Sequence, residues 1–307
     1  MKHPLRGIIP PMVTPLLKNG ALDSQGLRKL IEHMLTGGVH GIFLLGTTGE
    51  GPSLEHSLRK QLVAEACALI NKRVPVLVCI TDTSSGESLE MAAHAKQMGA
   101  DFLVIASPYY FPISQEEMQD YLEHLVPKLP LPFLIYNMPS CTKLHLSLET
   151  IKKAKQLGAI GIKDSSGDLD FLNVLLNEFG TDPNFTILTG TELHLPQVIA
   201  KGGHGTVAGG ANFFPKIFVD YYKACLSDDS KMLRHLEQKV STIGRTIYNV
   251  GKEESRYVKG TKCVLAAMDI CDDYTALPLR PFDATDRAKI KQYVDELSRD
   301  NTFSITE

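Results

Sequence analysis

Lys163 interrupts a run of apolar residues, AIGI (159–162), so that an amine follows directly after a segment suited to burial. Burial among apolar side chains removes hydration from an amine and favours its neutral form. A neutral amine can attack a carbonyl carbon and form a covalent imine. The sequence therefore offers Lys163 as a Schiff-base nucleophile. The alternative is a lysine at a strand end that reaches solvent or pairs with Asp164.

Tyr136 ends a second apolar run, LPFLI (131–135). A phenol can both donate and accept a proton, and the formation and dehydration of a carbinolamine require both steps. Tyr136 is therefore a candidate proton shuttle for Lys163. Taken alone, Tyr136 is better interpreted as a core tyrosine with a satisfied hydroxyl group.

The segment GTTGE (46–50) follows a third apolar run, GIFLL (41–45). It supplies two hydroxyl groups and flexible backbone amides in a loop that leads into a predicted helix. Such a loop suits a carboxylate or a phosphate group. A tight turn between a strand and a helix is the alternative.

Short apolar runs alternate with amphipathic stretches along most of the chain, which indicates buried parallel strands separated by helices. The predicted strands are 7–16, 41–47, 75–81, 102–108, 131–139, 159–166, 185–190 and 205–213. The predicted helices are 24–36, 54–71, 87–98, 115–126, 147–157, 168–179, 191–201 and 215–226.

Eight strand–helix units are the number that closes a (β/α)8 TIM barrel. An open doubly wound sheet usually has a GxGxxG turn after its first strand, and the first strand here continues as VTPLLKNG instead. From about Lys231 onward the pattern is helical only. We therefore predict a barrel over residues 1–228 and C-terminal helices over 229–307 that pack on it. In such a barrel, the ends of the strands bring the candidate residues together.

Composition excludes several classes of protein. The formal net charge is −3 and no basic block occurs, so nucleic acid is not expected as a partner. No apolar run approaches the length of about 18 residues that a membrane helix needs. The ten histidines show neither HxH nor HExxH spacing, so no metal site is predicted. The six cysteines lack CxxC spacing, which favours reduced thiols in a cytoplasmic protein.

Five segments share their order and spacing with a known family: GTTGE, SPYY, YNMP, GIKDSSGD and GGHGTVAGGAN. On these segments, the chain from about residue 5 to about 225 resembles the dihydrodipicolinate synthase / N-acetylneuraminate lyase family of class I aldolases. The resemblance implies a (β/α)8 barrel with C-terminal helices, assembled as a homotetramer. It also implies chemistry on pyruvate and an aldehyde through a covalent imine, without a metal or other cofactor.

The resemblance also assigns roles to individual positions. Lys163 corresponds to the Schiff-base lysine and Tyr136 to the tyrosine that moves protons at the reacting atoms. Thr47 corresponds to the hydroxyl that links this tyrosine to a relay, and Tyr110 to a relay tyrosine that reaches the neighbouring subunit, which requires at least a dimer. The positions that correspond to substrate-binding residues are Thr48 and Gly46 at the carboxylate loop, Val207 and Gly190 beside pyruvate, and Cys141.

Cys141 departs from the pattern of the synthases, which have an arginine here that binds the carboxylate of aspartate semialdehyde. A thiol cannot form a bidentate ion pair with a carboxylate. The segment KDSSGD (163–168) is closer to members that act on sugar acids such as 2-keto-3-deoxy-gluconate. The alternatives are 4-hydroxy-tetrahydrodipicolinate synthase, N-acetylneuraminate lyase and, from another class, a non-catalytic barrel that binds a metabolite.

Overall fold

The computed structural model of the protein describes residues 5–227 and 229–299. Within these ranges, eight parallel strands form one sheet in the order β1-β8-β7-β6-β5-β4-β3-β2. A parallel bridge between Pro11 and Phe43 joins the segment after β1 to β2 and closes the sheet on itself. The predicted (β/α)8 barrel is therefore confirmed. The predicted boundaries at 1, 228 and 307 lie outside the described residues.

Each predicted strand contains an observed strand, although the observed strands are shorter. They are β1 (Gly7–Ile8), β2 (Ile42–Leu44), β3 (Val76–Cys79), β4 (Phe102–Ala106), β5 (Phe133–Asn137), β6 (Gly161–Asp164), β7 (Thr186–Thr189) and β8 (Gly205–Thr206). β1 shows the largest difference from its predicted range of 7–16. Pro10 and Pro11 have no N–H group to donate to a neighbouring strand, so beyond Ile9 the pairing is reduced to the isolated bridge between Pro11 and Phe43.

Twelve α-helices occur within the described residues, and most of them cover the outside of the barrel. They are α1 (Ser24–Thr36), α2 (His56–Ile70), α3 (Ser85–Met98), α4 (Gln115–Leu125), α5 (Pro139–Thr142), α6 (Leu148–Gln156), α7 (Leu169–Phe179), α8 (Leu195–Ala200), α9 (Pro215–Cys225), α10 (Ser230–Arg245), α11 (Arg256–Ala267) and α12 (Ala284–Arg299). Among the described residues, no helix has both the length and the apolar character needed to span a membrane.

The segment after β7 differs from its predicted helix, 191–201. Residues Glu192–His194 form a single 3-10 turn, and α8 begins only at Leu195. Pro196 lies in the first turn of α8, where a missing N–H group costs nothing. Glu192 is consequently placed at the mouth of the barrel instead of on a helix.

Two apolar layers follow from the alternation of side chains along the strands. The larger layer lies between the strands and the surrounding helices and includes Ile135 and Ile162. The smaller layer fills the barrel and includes Phe43, Tyr136 and Val207. Because Tyr136 pairs with Lys163 across β5 and β6, both side chains point into the barrel at its carboxyl end.

Candidate active site

Lys163 lies at the carboxyl end of β6 with only 6% of its surface exposed. Its Nζ atom lies 3.6 Å from the centre of the Tyr136 ring and 5.4 Å from the centre of the Phe43 ring. Asp164 points away from it: its carboxylate accepts hydrogen bonds from Asn137 Nδ2 at 2.7 Å and Ser166 Oγ at 3.0 Å. Both alternatives for Lys163, exposure to solvent and pairing with Asp164, therefore disagree with the structure.

The hydroxyl of Tyr136 lies next to the loop that follows β2. It is 3.4 Å from Thr47 Oγ1, and the tyrosine is 4% exposed. The Phe43 ring packs against the Tyr136 ring edge to face, at 6.3 Å between centres, which fixes the plane of the phenol. The arrangement brings an amine, a phenol and an alcohol together in a small volume, as proton transfer during imine formation requires.

The loop over residues 45–51 has an unusual backbone. Leu45 and Glu50 both have left-handed conformations, with φ of 59° and 58°. Gly51 packs so closely on Leu45 that a Cβ atom would lie 2.1 Å from the Leu45 carbonyl oxygen. Thr48 is buried in this loop and lines the same cavity as Tyr257 of α11. The loop is therefore a fixed structure that presents Thr47 and Thr48 towards the barrel axis.

A cavity of about 390 Å³ opens above Lys163. Six of the residues proposed from the sequence line it: Thr47, Thr48, Tyr136, Lys163, Gly190 and Val207. Gly190 also has a packing role within the fold. A Cβ atom at Gly190 would lie 2.0 Å from Ser165 Oγ, so the residue after β7 must be glycine for Ser165 to fit.

Three proposed residues lie elsewhere. Gly46 packs on the Phe43 ring, and a Cβ atom on Gly46 would lie only 2.6 Å from that ring. Gly46 therefore supports the loop and does not line the cavity. Cys141 is exposed on α5 and lines a neighbouring cavity of about 310 Å³, which shares Thr47 and Tyr136. Tyr110 is 73% exposed and packs edge to face on Phe111. Its predicted role in a neighbouring subunit stays a prediction.

The C-terminal helices contribute side chains that sequence reasoning missed. Tyr248, which follows α10, and Tyr257 of α11 both line the cavity above Lys163. Tyr248 donates a hydrogen bond to Glu192 Oε1 at 2.9 Å, and Gly210 N donates to the same oxygen at 2.8 Å. Burial raises the pKa of the Tyr257 phenol well above its usual range and keeps it protonated. The cavity wall opposite Lys163 is therefore rich in hydrogen-bonding groups.

Glu192 has a carboxyl group that changes charge near neutral pH. Burial raises its pKa to about 7 from an ordinary value of 4.5, against the opposing effect of the hydrogen bonds from Gly210 and Tyr248. The folded protein holds this proton more tightly than the unfolded chain. Its contribution to stability is therefore complete below about pH 4.5 and is lost as the pH rises through 7.

We expect Glu192→Gln to flatten this pH dependence. The difference between the two pKa values corresponds to about 3 kcal/mol in the free energy of unfolding. Urea unfolding at pH 5 and pH 8 should show that loss in the wild-type protein and little of it in the variant. Glu178→Gln, which changes a carboxylate on the exterior of α7, is the control. If the free energy of unfolding fell equally between pH 5 and pH 8 in the wild type and in Glu192→Gln, the pH dependence could not be assigned to Glu192.

The comparisons with known proteins agree with this geometry. The model of the dihydrodipicolinate synthetase family matches residues 4–297. The chain belongs to that family. Among the described residues, no group of three or more His, Cys, Asp or Glu side chains could hold a metal ion.

Relatives within the family carry different names. The chain is 31% identical over 283 residues to a 4-hydroxy-tetrahydrodipicolinate synthase of Bartonella bacilliformis, which covers 92% of this chain and 94% of the relative. It is 30% identical over 294 residues, 95% and 96% of the two chains, to the Escherichia coli K12 protein named "Putative 2-dehydro-3-deoxy-D-gluconate aldolase YagE". The solved structure of YagE, in complex with pyruvate, matches with a TM-score of 0.88 at 29% identity, over 95% and 98% of the chains.

A third relative is the dihydrodipicolinate synthase of Bacteroides thetaiotaomicron, whose solved structure matches with a TM-score of 0.92 at 44% identity. The match covers 96% of this chain and 100% of that one. Members of the dihydrodipicolinate synthetase family are lyases that act on pyruvate. The protein is therefore an enzyme, a class I aldolase of this family. Non-catalytic metabolite binding, one of the alternatives above, is set aside.

Proposed function

We propose that the enzyme cleaves or forms a 2-oxo sugar acid, such as 2-keto-3-deoxy-gluconate, from pyruvate and a neutral hydroxylated aldehyde. The composition of the cavity wall carries the proposal. Among the described residues that line it, Lys163 is the one cationic side chain, and Glu192 is the one carboxyl group. If Lys163 forms the imine, the cavity offers no second cation for the carboxylate of aspartate semialdehyde.

The segment that replaces the synthase arginine supports this interpretation. Cys141 is exposed at the corresponding position. Lys143, the nearest cation along the chain, donates its hydrogen bond to the carbonyl oxygen of Tyr110 at 3.2 Å and is turned away from the cavity. Hydroxyl groups of a sugar chain would instead find partners among Glu192, Tyr248 and Tyr257, which can accept or donate hydrogen bonds.

The proposed reaction uses the groups already described. Lys163 Nζ attacks the C2 ketone of the 2-oxo acid, and the carbinolamine loses water to give a protonated imine. Tyr136, beside Thr47, gives its proton to the departing water and then removes the proton of the C4 hydroxyl. The C3–C4 bond then breaks, its electron pair moves towards the imine nitrogen as an enamine, and the aldehyde leaves. Tyr136 returns the proton to C3, and hydrolysis of the imine releases pyruvate and restores Lys163 and Tyr136, with neither a metal nor another cofactor taking part.

Thr48 has a separate role in the proposal. Its hydroxyl and the amides of the 45–51 loop hold the carboxylate of the oxo acid, which fixes the ketone against Lys163. The pyruvate complex of YagE supports pyruvate as the shared substrate. 4-Hydroxy-tetrahydrodipicolinate synthase remains the second candidate, favoured by the 44% identity to the Bacteroides enzyme.

A panel of 2-oxo sugar acids tests the proposal, with released pyruvate measured through coupled lactate dehydrogenase. We expect cleavage of at least one neutral sugar acid and slow condensation with aspartate semialdehyde. Cys141→Arg should raise that condensation at least about tenfold, because a bidentate ion pair becomes available. Cys141→Ser is the matched control. Robust condensation by the wild-type enzyme would instead favour the synthase.

We further propose a cytoplasmic homotetramer. All six cysteines are free thiols, which suits a reducing compartment. Tyr110 and Phe111 are 73% and 74% exposed, as expected of side chains that pack against a neighbouring subunit. Analytical ultracentrifugation of the wild type and of Phe111→Ser tests the assembly. A monomeric wild-type enzyme with full activity would contradict it.

A further inference from the structure

A buried ion pair connects the 45–51 loop to the C-terminal helices. The carboxylate of Glu50 pairs with Nζ of Lys262 in α11, and their side chains are 1% and 0% exposed. Glu50 Oε2 also accepts a hydrogen bond from Ala276 N at 2.7 Å. Lys262 Nζ donates to the carbonyl oxygen of Tyr274 at 2.6 Å. Two opposite charges and two backbone groups therefore join three separate segments of the chain.

The position of Glu50 makes this pair more than a stabilising contact. Glu50 lies two residues after Thr48 and adopts a left-handed conformation with φ of 58° and ψ of 22°. A residue with a side chain holds that conformation only where its surroundings enforce it. The Lys262 ammonium group and the Ala276 amide contribute to that constraint by fixing the end of the Glu50 side chain, beside the backbone hydrogen bonds from Glu50 to Thr47 and from Ser53 to Glu50.

The same helix also borders the loop near Thr48. Tyr257 lies five residues before Lys262 in α11 and lines the same cavity as Thr48. On the opposite side of the loop, Thr14 Oγ1 donates to the carbonyl oxygen of Gly49 at 2.6 Å. Contacts from both sides therefore determine where the amide and hydroxyl of Thr48 point.

We infer that Glu50 and Lys262 are positioning residues that set the affinity of the site for the carboxylate of the oxo acid. Their pair fixes the 45–51 loop on α11, while the reactivity of Lys163 depends on Tyr136 and the barrel interior. Loss of the pair should weaken the binding of carboxylate-bearing ketones and leave neutral ketones unaffected. The inference depends on the proposed imine at Lys163.

Borohydride trapping tests it, with adducts counted by intact-protein mass spectrometry. Pyruvate is one probe, and hydroxyacetone, which has a neutral CH2OH group in place of the carboxylate, is the other. For Glu50→Gln we expect the pyruvate concentration at half-maximal trapping to rise roughly tenfold to a hundredfold, the usual effect of losing a hydrogen bond to a charged group. Trapping by hydroxyacetone should stay within about twofold of the wild type.

Two further variants keep the test decisive. Glu50→Gln combined with Lys262→Met leaves no unpaired buried charge, so its melting temperature should exceed that of either single variant. Its half-maximal pyruvate concentration should nevertheless remain raised, since the tie between loop and helix is still missing. Glu32→Gln, which breaks an exposed pair with Arg73, is the control for removing a carboxylate and should behave as the wild type.

The possible outcomes distinguish the positioning role of Glu50 and Lys262 from the proposed function. Unchanged pyruvate trapping in Glu50→Gln, an equal loss for both ketones, or full recovery in the double variant would each overturn the positioning role. A wild-type enzyme that traps hydroxyacetone and pyruvate equally weakly, or traps neither, would count against the proposed function instead.

Discussion

Replacing Lys163 with alanine is expected to reduce pyruvate release by more than about a thousandfold, because it removes the nucleophile that forms the covalent intermediate. The reacting atom is Nζ of Lys163, which lies over the Tyr136 ring. The lysine is 6% exposed. Alanine leaves space in a cavity that already exists, so the fold should persist. Circular dichroism and pyruvate release measured on the same sample check both statements.

The trapped adduct gives a second measure of the same prediction. Borohydride with pyruvate should add one adduct to the wild type and none to Lys163→Ala. Lys143→Ala is the matched control, since Lys143 is an exposed lysine bonded to the carbonyl oxygen of Tyr110 and should not affect trapping. An adduct that survives Lys163→Ala would place the imine on another lysine and defeat the mechanism.

Replacing Tyr136 with phenylalanine is expected to lower kcat by about a hundredfold to ten thousandfold, the usual contribution of a positioned proton-transfer group. The change removes the hydroxyl 3.4 Å from Thr47 Oγ1 and keeps the ring that packs beneath Lys163 Nζ. Binding of pyruvate should change little, because the loop around Thr48 is untouched. Rapid-quench trapping separates the slow formation of the imine from its final amount.

Tyr109→Phe is the control for loss of a phenol near the site. Tyr109 lines the neighbouring cavity and not the one above Lys163, so its loss should change kcat less than about threefold. If Tyr136→Phe retained more than a tenth of the wild-type kcat, the proton shuttle would have to be another group.

The barrel and the centre of its site could be predicted because both depend on local pattern. Apolar runs at regular spacing determine the strands, and parallel strands present their carboxyl ends on one side. Tyr136 and Lys163 end consecutive strands, so they had to be neighbours. The register that pairs them follows from the side-chain alternation of β5 and β6.

The remaining parts of the site depend on tertiary packing that periodicity does not encode. Lys262 is a charged residue in a predicted helical region, where exposure to solvent is the usual expectation. Its burial arises only because Glu50 meets it from a loop more than 200 positions earlier. Tyr248 and Tyr257 enter the cavity for a similar reason, since the way that α10 and α11 lie on the barrel places them there. The need for glycine at position 190 likewise follows from its contact with Ser165, which only the folded structure shows.

The ion pair between α11 and Glu50 has a consequence for engineering specificity. The substrate specificity of a barrel enzyme can be changed by exchanging the loops that follow its strands. This approach assumes that the rest of the barrel does not affect the conformation of those loops. Here the loop that would receive the carboxylate is joined to α11 by a buried ion pair, and we propose that this pair sets the shape of the loop. Transplanting that loop into a related barrel without its helical counterpart would carry over the residues but not the binding geometry. The smallest transferable unit in this fold is the loop together with α11.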